Sequence, residues 1–325
     1  MKVVYTLVSS QSDYYLEQFC YSAFSVKRVS PNAEITLVVD EQTNRSFVGV
    51  RETEASIADE IISVSYPENM TSKQRSRMLK TTLREIIRGD YLFMDVDTIV
   101  LSPVEELLSE VGELDIYGVQ DLNAVEFSES PDYDYIINLT KKAFNFPIEK
   151  EADYFNSGVL FVKDNQRARI FYRAWNDNYI SGCAKGVSFD QPAFAYTNYK
   201  MNHIVGKLTS GWNCQICACD LPQFLNAKII HYFSGNSNLA VSVMNRPAFF
   251  ETIKNNGTLS EEQKDILACP VKSFYTTPKL ISNERDIRLQ RTLIYRLSRK
   301  MQNTFAFTAL EAFLQAIRHI KLKKL

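Results

Sequence analysis

The sequence predicts an α/β protein with a mixed, largely parallel sheet flanked by helices, followed by a helical, basic tail. Three observations predict it. Apolar, β-branched runs alternate with segments of helical spacing through the first hundred residues, the pattern of a parallel sheet covered on both faces. One of those runs, "YLFMDVDTIV" (91–100), carries two aspartates two positions apart. From Glu284 to Leu325 there are 10 Lys or Arg against 3 Asp or Glu, a balance of +7 that leaves −8 on the rest of a chain whose net charge is −1.

Taken in order, "KVVYTLV" (2–8) is the first strand, and Tyr14 to Val29 places apolar residues at helical spacing before an "SPN" turn. "EITLVVD" (34–40) and "DEIISVSYP" (59–67) are the second and third strands. A helix over Lys73–Arg88 puts Leu79, Leu83, Ile86 and Ile87 on one face, with Thr71 or Ser72 to cap its start and Gly89 its end. The 91–100 stretch is then a fourth strand. Residues 121–150, rich in Asp, Glu, Tyr and Asn, form a long loop with a short helix. "YFNSGVLFV" (154–162), an aromatic-rich helix near 166–180 and "AKIIHYF" (227–233) complete a core over 1–235. The 236–325 extension is mixed at first and becomes helical and basic from about 285.

At 325 residues, with 23% charged and 45% hydrophobic residues, the composition is that of a soluble globular chain. Its near-zero net charge argues against nucleic-acid binding, whereas an acidic body with a basic tail points to an anionic partner for the tail. "MKVVYTLVSS" is too short for a signal h-region, and no run reaches the roughly 18 apolar residues of a spanning helix. We therefore expect a cytoplasmic protein, peripheral at most on the cytoplasmic face of a membrane, with its six cysteines reduced. "CQICAC" offers Cys214, Cys217 and Cys219, one ligand short of a closed structural zinc site, and reads better as buried thiols.

Period 2 places Asp95 and Asp97 on one side of an extended chain, their Cα atoms roughly 6.5–7 Å apart. Oxygen ligands at that spacing suit Mg²⁺ or Mn²⁺ with a phosphate completing the shell. D-x-D alone is common and can be an ordinary exposed strand end. Its position here matters, because open parallel sheets bind ligands beyond the carboxyl ends of their strands.

"RGDYLFMDVDTIVLSPVEEL" (88–107), "YFNSGVLFVK" (154–163), "FDQPAF" (189–194) and "IIHYFSG" (229–235) occur in that order. Together they resemble the retaining glycosyltransferases of family 8, which have the Rossmann-like GT-A fold and include bacterial galactosyl- and glucosyltransferases and glycogenin. The resemblance covers about residues 1–235. It implies that Asp95 and Asp97 bind Mn²⁺, Asp95 also approaching the ribose of a UDP-sugar, and that His231 is the third protein ligand. It implies that Arg77, in "SRMLK", and Asn156 of "NSG" contact the donor sugar or the metal–phosphate assembly. Asp190 and Gln191 match an Asp-Gln pair that touches the sugar hydroxyls and lies under the anomeric carbon. To the donor-binding set we add Ser9, Ser157 and Lys80. Lys73, Arg77, Lys80 and Arg84 form one basic stripe, most of which we expect to be a solvated helix face.

One departure stands out. The family continues from this histidine through a glycine to Lys-Pro-Trp, the lysine gripping the diphosphate; here Gly235 is followed by "NSNLA". The resemblance implies a Mn²⁺- (or Mg²⁺-) dependent hexosyltransferase moving a hexose from a UDP-hexose, with retention, to a glycan or lipid-linked glycan acceptor. The tail, mixing Leu, Ile and Phe with Arg and Lys, can lie on an anionic membrane surface or pack on the body. A non-catalytic or weakly active membrane-associated member is one alternative. A metal-dependent nucleotidyltransferase is another, although "YTLVSSQSDYY" lacks the glycine-rich phosphate loop such enzymes use.

Overall fold

Strands whose residues are apolar on both faces must be covered on both faces, and the first hundred residues form such a layer. The computed structural model describes residues 1–124, 133–146, 148, 154–233, 242–274, 292–301 and 304–322. The chain divides into two compact units, Met1–Thr276 and Thr277–Leu325.

The strands of the first unit are β1 (Lys2–Leu7), β2 (Glu34–Asp40), β3 (Glu60–Val64), β4 (Tyr91–Met94), β5 (Thr98–Val100), β6 (Ile116–Gln120), β7 (Phe155–Val162), β8 (Val205–Lys207), β9 (Cys214–Gln215) and β10 (Ile229–His231). Its helices are α1 (Tyr15–Val29), α2 (Glu41–Arg45), α3 (Val50–Ala55), α4 (Ser72–Ile86), α5 (Tyr133–Phe144), α6 (Gln166–Ala184), α7 (Asp190–Lys200), α8 (Leu221–Leu225), α9 (Glu251–Asn256) and α10 (Glu261–Ala268). A seven-stranded sheet runs β3-β2-β1-β4-β7-β6-β8, and a three-stranded one β5-β10-β9. In the larger sheet β3, β2, β1 and β4 pair in parallel, as do β6 and β8, while β7 runs antiparallel to β4 and β6.

Alternate residues of β1 face opposite layers. Val3, Tyr5 and Leu7 pack with Leu16, Phe19 and Ala23 of α1. Val4 packs on the other face with Leu79 and Leu83 of α4 and Phe171 and Trp175 of α6. The helix over 72–86 begins as its residues dictate: the Thr71 hydroxyl accepts from the Gln74 amide while the Gln74 side chain accepts from Thr71 N–H.

Two expectations need correcting. The 91–100 stretch is two strands. The chain leaves the large sheet after Met94, bends through Asp95–Asp97, and re-enters pairing as β5, antiparallel to β10 in the small sheet. The sequence conceals this, since either sheet can bury Tyr91–Met94 and Thr98–Val100. The basic stripe of α4 is not a solvated face either. Lys80 and Arg84 are buried, because α6 packs over that side of the helix. Arg84 stacks 4.8 Å from the Tyr91 ring centroid and donates to the Ile87 and Gly89 carbonyls, so its charge is met inside the protein.

Residues 242–274, where the sequence pattern is mixed, belong with the core. Met244, Phe250, Ile253, Ile266 and Leu267 pack with Tyr21, Ile99, Ile230 and Tyr232 over the small sheet. None of the six cysteines is in a disulfide; Cys214 is buried, but Cys217 is exposed, contrary to expectation. In the second unit the basic tail forms α11 (Leu293–Met301) and α12 (Phe305–Leu322). Among the described residues no helix is long and apolar enough to cross a membrane.

One buried feature sets a pH dependence. Glu17 and Glu54 are buried on α1 and α3 and none of their carboxylate oxygens has a hydrogen-bond partner; Lys254 Nζ lies 3.7 Å from Glu17. Burial, aided by the charge of Glu17, pushes the Glu54 carboxyl up to about 7 against the pull of Arg51 and Lys254. The folded state then binds the extra proton, so stability falls as pH rises from about 4.5 through 7. Glu54→Gln should melt above wild type at pH 8, roughly 2–4 °C for each kcal/mol recovered, and lose that advantage at pH 5. Equal melting shifts at both pH values in thermal scans would contradict the assignment.

Candidate active site

The carboxyl ends of β1 and β4 lie side by side, where α1 and α4 begin. A cavity of about 460 Å³ opens there, lined by Thr6, Leu7 and Val8, by Tyr15 and Gln18 of α1, by Ser72, Lys73, Ser76 and Arg77 of α4, and by Asp95, Val96 and Asp97. The first turns of α4 line this space through Ser72, Lys73 and Ser76, and the positive end of a helix dipole suits an anion.

The bend between β4 and β5 forms one wall. Asp95 N–H donates to the Gly158 carbonyl at 2.7 Å, extending the β4–β7 pairing by one step. On the far side of the bend, the Asp97 carbonyl accepts from Tyr232 N–H at 3.0 Å, and Thr98 pairs opposite His231. Two sheets thus hold the two ends of a short turn. Asp95, Asp97 and His231 each present a ligand atom, all within 4.8 Å of one another. His231 Nε2 lies 3.1 Å from Asp97 Oδ1. Burial raises the Asp97 carboxyl, but the charge and hydrogen bond of His231 outweigh it and hold the group below the ordinary carboxylate range.

Two carboxylates and an imidazole suit Mn²⁺ or Mg²⁺ by ligand chemistry. The backbone supports the fit. A Cβ on Gly158 would lie 2.4 Å from His231 Cε1 and 2.8 Å from Asp95 Oδ2, so these two ligands close over a backbone position that only glycine leaves open. β7 supplies that glycine where its pairing with β6 shifts register, Gly118 facing Leu160 but Val119 facing Asn156.

Next to the triad lies a second charged cluster. Lys80 Nζ sits 3.0 Å from both oxygens of Asp95 and 3.7 Å from Asp190 Oδ2. Arg77 Nε is 3.1 Å from Asp190 Oδ1, and the Ser157 hydroxyl donates to Asp190 Oδ2 at 2.7 Å. Burial would push Asp190 up, but Lys80 and Arg77, helped by Ser157, hold its carboxyl at about 2. Asp190 therefore stays ionised throughout the neutral range. The three carboxylates face two permanent cations, leaving a net negative site beside a positively biased helix end.

The residues expected at the site are placed unevenly. Asp95, Asp97, His231, Arg77, Lys80, Ser157 and Asp190 converge. Asn156 does not offer itself to a ligand: its Nδ2 donates to Asp121 Oδ1 (2.9 Å) and Gln215 Oε1 (3.3 Å), and its Oδ1 accepts from Gly158 N–H (2.9 Å) and Asn213 Nδ2 (3.0 Å). All four hydrogen-bonding positions are filled by protein. Ser9 is buried beside the cavity, its amide donating to Thr43, its hydroxyl donating to Asp13 and accepting from Arg51. Lys80, at 3% exposure, is a buried counter-ion to Asp95 and Asp190 rather than a surface contact. Gln191 is half-buried on the first turn of α7, its Nε2 3.5 Å from the Phe155 carbonyl. Gly235 and the "NSNLA" that follows lie outside the described residues. Sequence reasoning missed Asp121, Asn213 and Gln215, the last of them inside a stretch read only for its cysteines.

The fold recurs in solved structures. The chain is similar to the galactosyltransferase LgtC in complex with donor and acceptor sugar analogs, with a TM-score of 0.52 and 17% identity over 82% of this chain and 99% of that one. The fold is GT-A. Mouse xyloside xylosyltransferase 1 in its apo form matches with a TM-score of 0.50 and 14% identity, covering 73% of this chain and 99% of that one. The bifunctional glycosyltransferase WbbM in its apo form matches with a TM-score of 0.52 and 14% identity, covering 82% of this chain and 51% of that one. No protein-family model and no curated protein sequence matches the chain.

Gly158→Ala tests the cradle directly. The added methyl has to displace His231 or Asp95, so Mn²⁺ affinity, read from the free-ion signal in electron paramagnetic resonance, should drop by roughly 10-fold or more. Unchanged affinity in a variant with wild-type circular dichroism would contradict this geometry.

Proposed function

We propose that the protein is a metal-dependent retaining glycosyltransferase of the family 8 type, moving a hexose from a UDP-hexose to a glycan or lipid-linked glycan acceptor. One observation carries the proposal: Asp95, Asp97 and His231 converge, the first and last of them closing over Gly158, at the mouth of a cavity at the carboxyl edge of a GT-A sheet. The GT-A neighbours support the same reading, one of them a complex with donor and acceptor sugar analogs.

Asp95, Asp97 and His231 would hold Mn²⁺ or Mg²⁺. When bound, the ion supplies Lewis acidity that stabilises negative charge on the departing UDP. The cavity volume lies within the ordinary range of small-ligand sites. Lys73 and Arg77 line it on the first turns of α4, and in our reading they meet the diphosphate charge in place of the lysine missing after His231.

Asp190 has both oxygens engaged, by Arg77 on one side and by Ser157 and Lys80 on the other, and a carboxyl held at about 2. Such a carboxylate is a weak base and a poorly freed nucleophile. We therefore assign it to fixing the sugar and balancing positive charge at the anomeric carbon, with Gln191 beside it. The acceptor hydroxyl would attack from the face that the nucleotide leaves, which preserves configuration without a covalent intermediate.

The tail fits a surface partner. Leu293, Ile294, Leu297, Phe305 and Phe313 are exposed on α11 and α12, and Arg299 and Lys300 end α11. We propose that these helices rest on an anionic bilayer, apolar residues inward, each basic residue contributing about 1 kcal/mol near the surface.

The activity is tested by screening UDP-sugars for Mn²⁺-dependent hydrolysis and transfer. Asp97→Ala should lower turnover by about 100-fold or more, the scale on which loss of one electrostatic stabiliser acts. Chelation should remove UDP binding in isothermal titration, and Mn²⁺ should restore it. Asp97→Ala that turns over like wild type, or UDP that binds equally without metal, would sink the metal assignment and favour a non-catalytic role.

A further inference from the structure

His231 has two ring nitrogens, and only one can serve a cation. Which one is decided by a chain of buried hydrogen bonds that begins at a backbone amide. Gly158 N–H lies 2.9 Å from the Asn156 side chain, and since an amide N–H only donates, the atom facing it is Oδ1. The other end of the same side chain lies 2.9 Å from a carboxylate oxygen of Asp121, an acceptor, which independently requires Nδ2 there. With Asn156 so oriented, its Oδ1 must accept the second contact, 3.0 Å from Asn213, as well. Asn213 therefore points Nδ2 at Asn156 and Oδ1 at His231 Nδ1, 3.1 Å away. An amide oxygen has no proton to give. Nδ1–H is therefore the donor that Asn213 is built to accept, and Nε2 is the nitrogen that faces Asp97, 3.1 Å from Oδ1.

We propose that Asn213 is a positioning residue that reserves the Nε2 lone pair of His231 for the cation. The inference rests on the metal site proposed above. Without Asn213, Nδ1 loses its acceptor, and the neutral ring gains by placing its proton on Nε2 against the Asp97 carboxylate, on the atom a metal needs. The residue is built for the task. Asn213 and His231 are at most 3% exposed, and Asn123 Nδ2 holds the Asn213 carbonyl at 2.8 Å, so neither partner can turn freely. Gln215, two residues on, ties the same strand to Asn156, to Leu122 N–H and to the Gln120 carbonyl. The register of β9 against β10 sets Gln215 opposite His231 and so fixes the distance over which the amides act.

The first test needs no metal. With only three histidines in the chain, ¹⁵N-histidine labelling gives a spectrum in which His231 is identified by its loss in His231→Gln. In metal-free wild type Nδ1 should carry a proton, held by the Asn213 oxygen. A wild-type ring with a bare Nδ1 overturns the inference. The second test compares Asn213→Leu, which matches the side chain in size and lacks the acceptor, with Asn213→Asp, which keeps an acceptor for Nδ1–H. The leucine variant should move the proton to Nε2 and bind Mn²⁺ roughly 10–100-fold more weakly by electron paramagnetic resonance. The aspartate variant should keep the Nδ1–H form and recover most of the affinity. Leucine that binds as wild type, or both variants weakened alike, overturns the positioning role. Wild type that shows Nδ1–H yet binds no Mn²⁺ instead defeats the metal site itself.

Discussion

The site depends on one covalent constraint: a three-residue bend whose two ends belong to different sheets. β4 is committed to the large sheet by its pairing with β1 and β7, and β5 to the small sheet by its pairing with β10. Asp95 and Asp97 can move only as far as those ladders allow, because Gly158 holds the amide of one and Tyr232 the carbonyl of the other. His231 enters from β10 by the same pairing that positions Asp97. A ligand set built this way is preorganised by backbone hydrogen bonds, which cost nothing further when a ligand arrives.

Gathering Asp95, Asp97 and Asp190 into one region opposes folding by mutual repulsion and desolvation, and the surrounding structure shows how this is offset. Lys80 is carried into the interior on α4 with its ammonium over the Phe93 ring and against Asp95. Arg77, one turn earlier, takes Asp190. The side chain of Asp97 is paired instead with His231. A cation entering the triad would share Asp95 with Lys80, so Lys80 links the proposed metal site to the Asp190 cluster where we place the sugar.

Much of this was legible in the residues and some was not. β1, β2 and α4 follow from apolar periodicity and a Thr-x-x-Gln cap, both local signals. Asp95 and Asp97 stood out by their spacing at the end of an apolar run, whereas His231 and Asp190 were singled out by their place in the ordered motifs that carry the family resemblance. The division of 91–100 between two sheets left no trace, since both halves are equally apolar and pairing partners are set by tertiary structure. The burial of Lys80 and Arg84 was equally hidden, because helical period tells which residues share a face but not that α6 covers it. Asp121, Asn213 and Gln215 look like ordinary polar residues until the fold brings Asn156 among them. Asn156, expected to contact the donor, has its hydrogen-bonding positions filled by protein.

The central claim is that a divalent cation binds at the corner between the two sheets. Anomalous diffraction from crystals soaked with Mn²⁺ and UDP tests it most directly. We expect a single strong Mn²⁺ peak bounded by Asp95, Asp97 and His231 Nε2, and its disappearance in Asp97→Asn. A peak elsewhere in the molecule, or none with Lys80 still holding both oxygens of Asp95, would contradict the account.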